Sequence, residues 1–69
     1  MQKIPVKAAR VAAKLTQEEM AKKLDITPSW YNIIENDPSQ MKMYIYYAIL
    51  YITGFSADDV YSPEELKKT

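Results

Sequence analysis

The sequence predicts a small all-α domain of five helices, and three observations carry that prediction. Hydrophobic residues make up 48% of the 69 and glycine occurs once, so the chain is too apolar to be disordered and too poor in breakers to be loop-rich. Two threonines stand immediately before helix-spaced apolar residues, Thr16 with Glu19 three residues on and Thr27 followed by Pro28, and both patterns mark helix starts. The single glycine, Gly54, follows the most apolar segment, residues 41–53, where a left-handed helix cap belongs. A chain of this length makes one domain and buries roughly 60% of its unfolded surface.

The first helix opens at Pro5, a residue suited to the first helical position because its missing N–H would be unsatisfied there anyway, and runs to Ala13 or Lys14. Val6, Ala9, Ala13 and the neighbouring Leu15 fall near one face, while Lys3, Lys7, Arg10 and Lys14 recur along another. The second helix starts from Thr16 through a capping box with Glu19, and Gln17-Glu18-Glu19 suits its positive end. Met20, Ala21 and Leu24 form its apolar stripe, and it stops at Asp25-Ile26. Thr27 caps the third helix, Pro28 is its first residue, and it carries Trp30, Tyr31, Ile33 and Ile34 before ending near Asn36-Asp37-Pro38.

Residues 41–53 form the fourth helix, buried or at an interface, since thirteen residues fall short of the ~18 to 20 a membrane span needs. Ser56-Ala57-Asp58-Asp59 starts a short fifth helix through Val60-Tyr61. The domain therefore spans 1–61. The tail, 62–69, repeats a capping-box pattern at Ser62 and Glu65 but offers only Leu66 for docking, so it is expected to fray.

Without cysteine or histidine the chain holds no disulfide, no thiolate or imidazole metal site and no Cys/His catalytic pair, which fits a reducing compartment. With no signal-peptide pattern either, the expected location is the cytoplasm. An enzyme is not expected, and neither is a cofactor, a metal or a small-molecule ligand. The carboxylates Glu18, Glu19, Asp58 and Asp59 sit at helix starts, where the dipole accounts for them. The net charge of zero hides an asymmetry: residues 1–24 hold six basic and two acidic side chains, residues 25–69 three basic and seven acidic. The basic end could attract a polyanion.

The second and third helices, joined by a tight turn over residues 17–36, have the layout of a helix-turn-helix. In that unit the first helix lies across the DNA backbone with its N-terminal amides toward a phosphate, and the second projects residues of its N-terminal half into the major groove. Ala21 supplies the small residue needed where the helices approach, and Met20, Leu24, Ile26, Tyr31 and Ile34 form the inward set.

These residues carry a family resemblance. Through Leu15-Thr16-Gln17-Glu18-Glu19-Met20-Ala21-Lys22-Lys23-Leu24, then Ile26-Thr27, Ile34-Glu35-Asn36 and Gly54-Phe55-Ser56-Ala57-Asp58-Asp59-Val60, the chain resembles the lambda-repressor-like, Cro/C1-type (XRE) helix-turn-helix family over residues 6–61. The resemblance implies a five-helix DNA-binding domain, usually a homodimer on a near-palindromic operator in double-stranded DNA and often a phage or bacterial repressor. It places Gln17 against a phosphate or the adjacent base, and Thr27, Pro28, Ser29, Asn32 and Ile33 of the recognition helix, 28–36, toward the groove or its phosphates. Asn36 and Lys42 would touch the backbone beyond. Arg10 and Glu35 match a structural ion pair. Tyr31 takes an inward position, with its hydroxyl expected to reach an edge.

The chain departs from the family pattern in two places. Lys14 and Asp25 stand where glycine is usual, so each helix end adopts left-handed geometry at a cost of about 1 kcal/mol or finds another turn. The recognition helix lacks Arg, Lys and Gln, leaving Asn32 as the one bidentate reader, helped by Ser29 and by Ile33 against a thymine methyl, a set biased toward A·T-containing sites. The loop 37–40 also lacks the lysines often placed near phosphates.

The family's inward positions on the fourth helix correspond to Met43, Tyr46, Ile49, Leu50 and Thr53. Tyr44, Ile45, Tyr47, Ala48, Tyr51 and Ile52 are then left partly outward, an apolar and aromatic surplus that suits a homodimer interface. The alternative function is an antirepressor-like protein-interaction module that has lost DNA binding, for which the uncharged, aromatic Pro28-Ser29-Trp30-Tyr31 is the best support.

Overall fold

Capping chemistry within a few residues marks several of the helix ends. In the computed structural model, which describes residues 2–67, the elements are α1 (Val6–Ala12), α2 (Gln17–Leu24), α3 (Pro28–Asn36), α4 (Met43–Thr53) and α5 (Pro63–Lys67), with one 3-10 turn at Pro38–Gln40. Residue 1 and residues 68–69, the ends of the expected domain and tail, lie outside the described residues. Pro5 occupies the N-cap of α1 and so precedes the helix. Thr16 caps α2 through a complete capping box, its Oγ1 accepting from the Glu19 N–H while Glu19 Oε1 accepts from the Thr16 N–H. Thr27 caps α3 by accepting from the Trp30 N–H, with Pro28 as first residue.

Both departures from glycine resolve the same way. Lys14 (φ 62°) and Asp25 (φ 59°) take left-handed conformations, and each is followed by a paired closure. Lys14 N–H bonds Val11 O and Leu15 N–H bonds Arg10 O, while Asp25 N–H bonds Lys22 O and Ile26 N–H bonds Ala21 O. These are Schellman motifs built without glycine. Gly54 (φ 83°) ends α4 with a single bond to Leu50 O.

The core gathers one face of each of the first four helices. Val6 and Ala9 of α1, Met20 and Ala21 of α2, Tyr31 and Ile34 of α3, and Ile45, Tyr46, Ile49 and Leu50 of α4 are buried together with Met41 and Val60, and Leu15, Leu24, Ile26 and Met43 pack at the margin. Ile45 corrects an expectation: placed partly outward by the sequence reading, it is 3% exposed and belongs to this core. α4 is apolar around most of its circumference, so it is buried on a wider arc than a single stripe. The Tyr31 hydroxyl does not reach an edge either; it is buried without a hydrogen-bond partner.

The largest correction concerns the C-terminal segment. Residues 56–61 are a turn, although Ser56 N–H and Oγ both bond Asp59 Oδ2 as a helix start would. Propagation stops because Val60 forms a parallel β-bridge with Ile4. Ile4 N–H donates to Asp59 O at 2.9 Å, and Tyr61 N–H donates to Ile4 O at 3.0 Å. Tyr46 Oη donates to Val60 O at 2.6 Å from inside the core. The fifth helix instead begins at Pro63, in the segment expected to fray. Its start has its own reciprocal cap between Ser62 and Glu65, and Glu65 accepts from Lys3 Nζ at 2.8 Å. Pro63 is buried, whereas Leu66 stays exposed.

Candidate nucleic-acid interface

α2 and α3 can lie close because Ala21 brings no bulk to their crossing and is fully buried there. The Leu24–Thr27 turn sets α3 at a fixed angle through the Asp25 left-handed cap and the Thr27 N-cap. With Tyr31 and Ile34 held in the core, the opposite face of α3 presents Pro28, Ser29, Asn32, Ile33 and Asn36 to solvent, and Thr27 is exposed at its cap. Ile33 and Trp30 are both open to solvent, Trp30 at 37%. The face carries no charged side chain.

Lys42 is exposed at the N-cap of α4 and its side chain caps nothing. It adjoins the 3-10 turn that follows α3, where Ser39 Oγ and Gln40 Nε2 both donate to Asp37. Those two bonds hold the Asp37 carboxyl below its ordinary range. Among the described residues no group of His, Cys, Asp and Glu is arranged to hold a metal ion, and no helix is long and apolar enough to cross a membrane.

Behind the exposed face lies one buried charge pair. Arg10 Nε donates to Glu35 Oε2 at 2.8 Å and Arg10 Nη2 to Glu35 Oε1 at 3.2 Å, a bidentate arrangement that joins α1 to α3. Arg10 Nη1 also donates to Leu15 O at 2.6 Å, tying the α1–α2 turn to the pair. Burial alone would raise the Glu35 carboxyl, but the Arg10 bonds, with the Gln17 amide, hold it below the usual carboxylate range. The hydrogen bond to Glu35 raises Arg10 in turn, against its own desolvation.

Gln17 does not stand free at the start of α2. Its Nε2 donates to Glu35 Oε1 at 2.9 Å, its Oε1 accepts from Asn32 Nδ2 at 3.0 Å, and Asn32 Oδ1 accepts from Asn36 Nδ2 at 3.2 Å. Three residues assigned separately to DNA contact thus form one side-chain chain rooted on Glu35. The sequence reading missed it. The four-residue spacing of Asn32 and Asn36 signals one link, but the cross-helix links to Gln17 depend on the packing angle of α2 on α3.

A helix-turn-helix family model matches residues 6–45, from the start of α1 into α4. That is more than half of the chain. The chain belongs to the Cro/C1-type helix-turn-helix family. It is a DNA-binding family and not an enzyme family. No curated protein and no solved structure matches this Cro/C1-type chain. Of the fourth helix in this family member, Tyr44 is 73% and Tyr51 90% exposed. Tyr47 is exposed as well, and Ala48 and Ile52 are half-buried.

Proposed function

We propose that this chain is a sequence-specific regulator of transcription, phage or bacterial, that represses by binding a near-palindromic operator as a homodimer, with α3 in the major groove. The observation that carries this reading is the exposed set Thr27, Pro28, Ser29, Asn32, Ile33 and Asn36 on a rigidly capped second helix of the motif. Ser29, Asn32 and Ile33 read bases, while Gln17, Asn36, Lys42 and the N-terminus of α2 position the protein on phosphates. Arg10 stays with Glu35 and takes no part in DNA contact. A cytoplasmic location suits this role.

The dimer surface is the outer side of α4, with Tyr44, Tyr47 and Tyr51 at its centre and Ala48 and Ile52 beside them. Ile45 is withdrawn from this set by its burial. A shallow groove lined by Ala13, Leu15, Lys23, Tyr51 and Ile52 adjoins this surface at Tyr51. Two half-sites offset the weakness of each, since a chain of zero net charge releases few counterions from DNA.

Selection from a randomised duplex library, followed by a salt titration of the enriched duplex and a scrambled control, tests the reading. An enriched near-palindrome bound with log affinity falling against log salt by about 0.9 per phosphate contact supports it. Equal, weak binding to both duplexes favours the second reading, a protein-interaction module. That reading draws on the exposed Trp30 and Ile33 beside an uncharged α3 face. Trp30→Ala then abolishes partner binding, while Ser29→Ala and Asn32→Ala leave it unchanged.

A further inference from the structure

We infer that Gln17 is a specificity-positioning residue, which fixes the orientation of the Asn32 amide for reading adenine under the control of the buried Glu35 carboxylate. The inference rests on α3 entering the major groove as proposed above. An ionised carboxylate only accepts hydrogen bonds, and Glu35, paired with Arg10, is ionised. Gln17 must therefore turn its NH2 group toward Glu35, which leaves its carbonyl oxygen facing α3. Asn32 must answer that oxygen with its own NH2 group, so Asn32 Oδ1 faces Asn36 Nδ2. Each amide orientation follows from the one before, starting from a charge that cannot donate.

The arrangement leaves Asn32 usable. Its amide has two N–H donors and two acceptor lone pairs, and the internal chain consumes one of each. One donor and one acceptor remain on an exposed side chain, the combination that adenine N7 and N6 require in the major groove. In an α3 without Arg, Lys or Gln, this preset amide carries the base preference, and Gln17 acts on it without touching the base.

The experiment compares site selection and affinity for the wild type, Asn32→Ala, Gln17→Met and Gln17→Lys, each checked by thermal melting. Lysine at 17 still donates to Glu35 and adds a charge for phosphate, but it offers Asn32 no acceptor. The wild type should prefer A·T at one position per half-site by about 5- to 150-fold, the range for a good bidentate pair. Both Gln17 variants should lose that preference to within about threefold of Asn32→Ala, and Gln17→Lys should keep affinity for a scrambled duplex. A uniform loss over all sequences, with the preference intact, reduces Gln17 to a phosphate contact and overturns the inference alone. A wild type that enriches no site overturns the DNA reading and the inference with it. In the free protein, the Asn32 side-chain amide resonances should move in both Gln17 variants; unmoved resonances also overturn the inference.

Discussion

Gln17 Nε2 donates to Glu35 Oε1 at 2.9 Å, joining the first residue of α2 to the last turn of α3 by their side chains. The same carboxylate takes both bonds from Arg10 of α1. Three helices thus meet on one buried negative charge, whose side chain is 0% exposed. Removing one member of such a group strands the others in the interior.

Arg10→Met or Glu35→Gln should each cost about 3 to 5 kcal/mol, the range for breaking a buried pair. That is a large share of the stability a domain of this size possesses, at roughly 0.05 to 0.15 kcal/mol per residue. Replacing both, Arg10→Met with Glu35→Leu, should cost less than either alone. Urea titrations of the three variants read the difference, and a double variant less stable than both singles contradicts it.

The depressed Glu35 carboxyl sets a pH dependence with a definite sign. Its folded pKa lies below the unfolded value, so its contribution is fully present above about pH 4.3, the unfolded pKa, and is lost as pH falls through the folded pKa. Glu35→Gln should flatten the acid limb of the stability curve, leaving the limb contributed by Glu19, Asp37 and Glu65, which are also lowered. Equal acid slopes in melts of the wild type and the variant would falsify this assignment.

Two tyrosines of the core should respond oppositely to the same change. Tyr46 donates to Val60 O, so Tyr46→Phe leaves a buried carbonyl unpaired and should cost about 1 to 3 kcal/mol. The Tyr31 hydroxyl is buried close to Glu35 but forms no hydrogen bond, so Tyr31→Phe should be neutral or stabilising. Melting temperatures of the pair decide it; a loss of about 1 kcal/mol or more in Tyr31→Phe means that the hydroxyl does bond the carboxylate.

Lys14→Gly should stabilise the protein by about 0.5 to 1 kcal/mol, because the left-handed residue then carries no Cβ penalty and the Schellman bonds remain. Asp25→Gly should gain less, since Asp tolerates this region better. For a domain this small, 1 kcal/mol moves the melting temperature by roughly 4 to 8 °C. An unchanged or lowered midpoint for Lys14→Gly argues against the strain.

If the outer face of α4 joins two copies, Tyr47→Lys with Tyr51→Lys should convert the dimer to a monomer in sedimentation at high micromolar concentration while the monomer fold persists, both side chains being exposed. Operator affinity should fall steeply, and binding to a single half-site should stay. A wild type that already sediments as a monomer under these conditions removes the dimer from the proposal.

What the sequence made legible is whatever acts over a few residues. The Thr16–Glu19 box, the Thr27–Pro28 start and the Gly54 stop are short-range chemistry, and all three mark the ends of helices in the structure. Ser56 and Asp59 also make their local bonds, yet no helix follows. Their segment is claimed by Ile4, from the far end of the chain, and no local signal announces that competitor. Ile45 was misplaced for a related reason: on a helix with little polar contrast between its sides, periodicity does not say how wide the buried arc is. The links from Gln17 to Glu35 and Asn32 needed the angle between helices, which only packing supplies.

The Ile4–Val60 bridge gives folding an order. Helix contacts within residues 6–45 close short loops, whereas pairing the fourth residue with the sixtieth closes nearly the whole chain and costs correspondingly more entropy. Until that loop shuts, Tyr46 has no carbonyl to receive its hydroxyl, and the core has no Val60. On the ribosome, then, the helix-turn-helix motif emerges before the stretch that locks it, and the last step to the native state waits for Val60 to leave the exit tunnel.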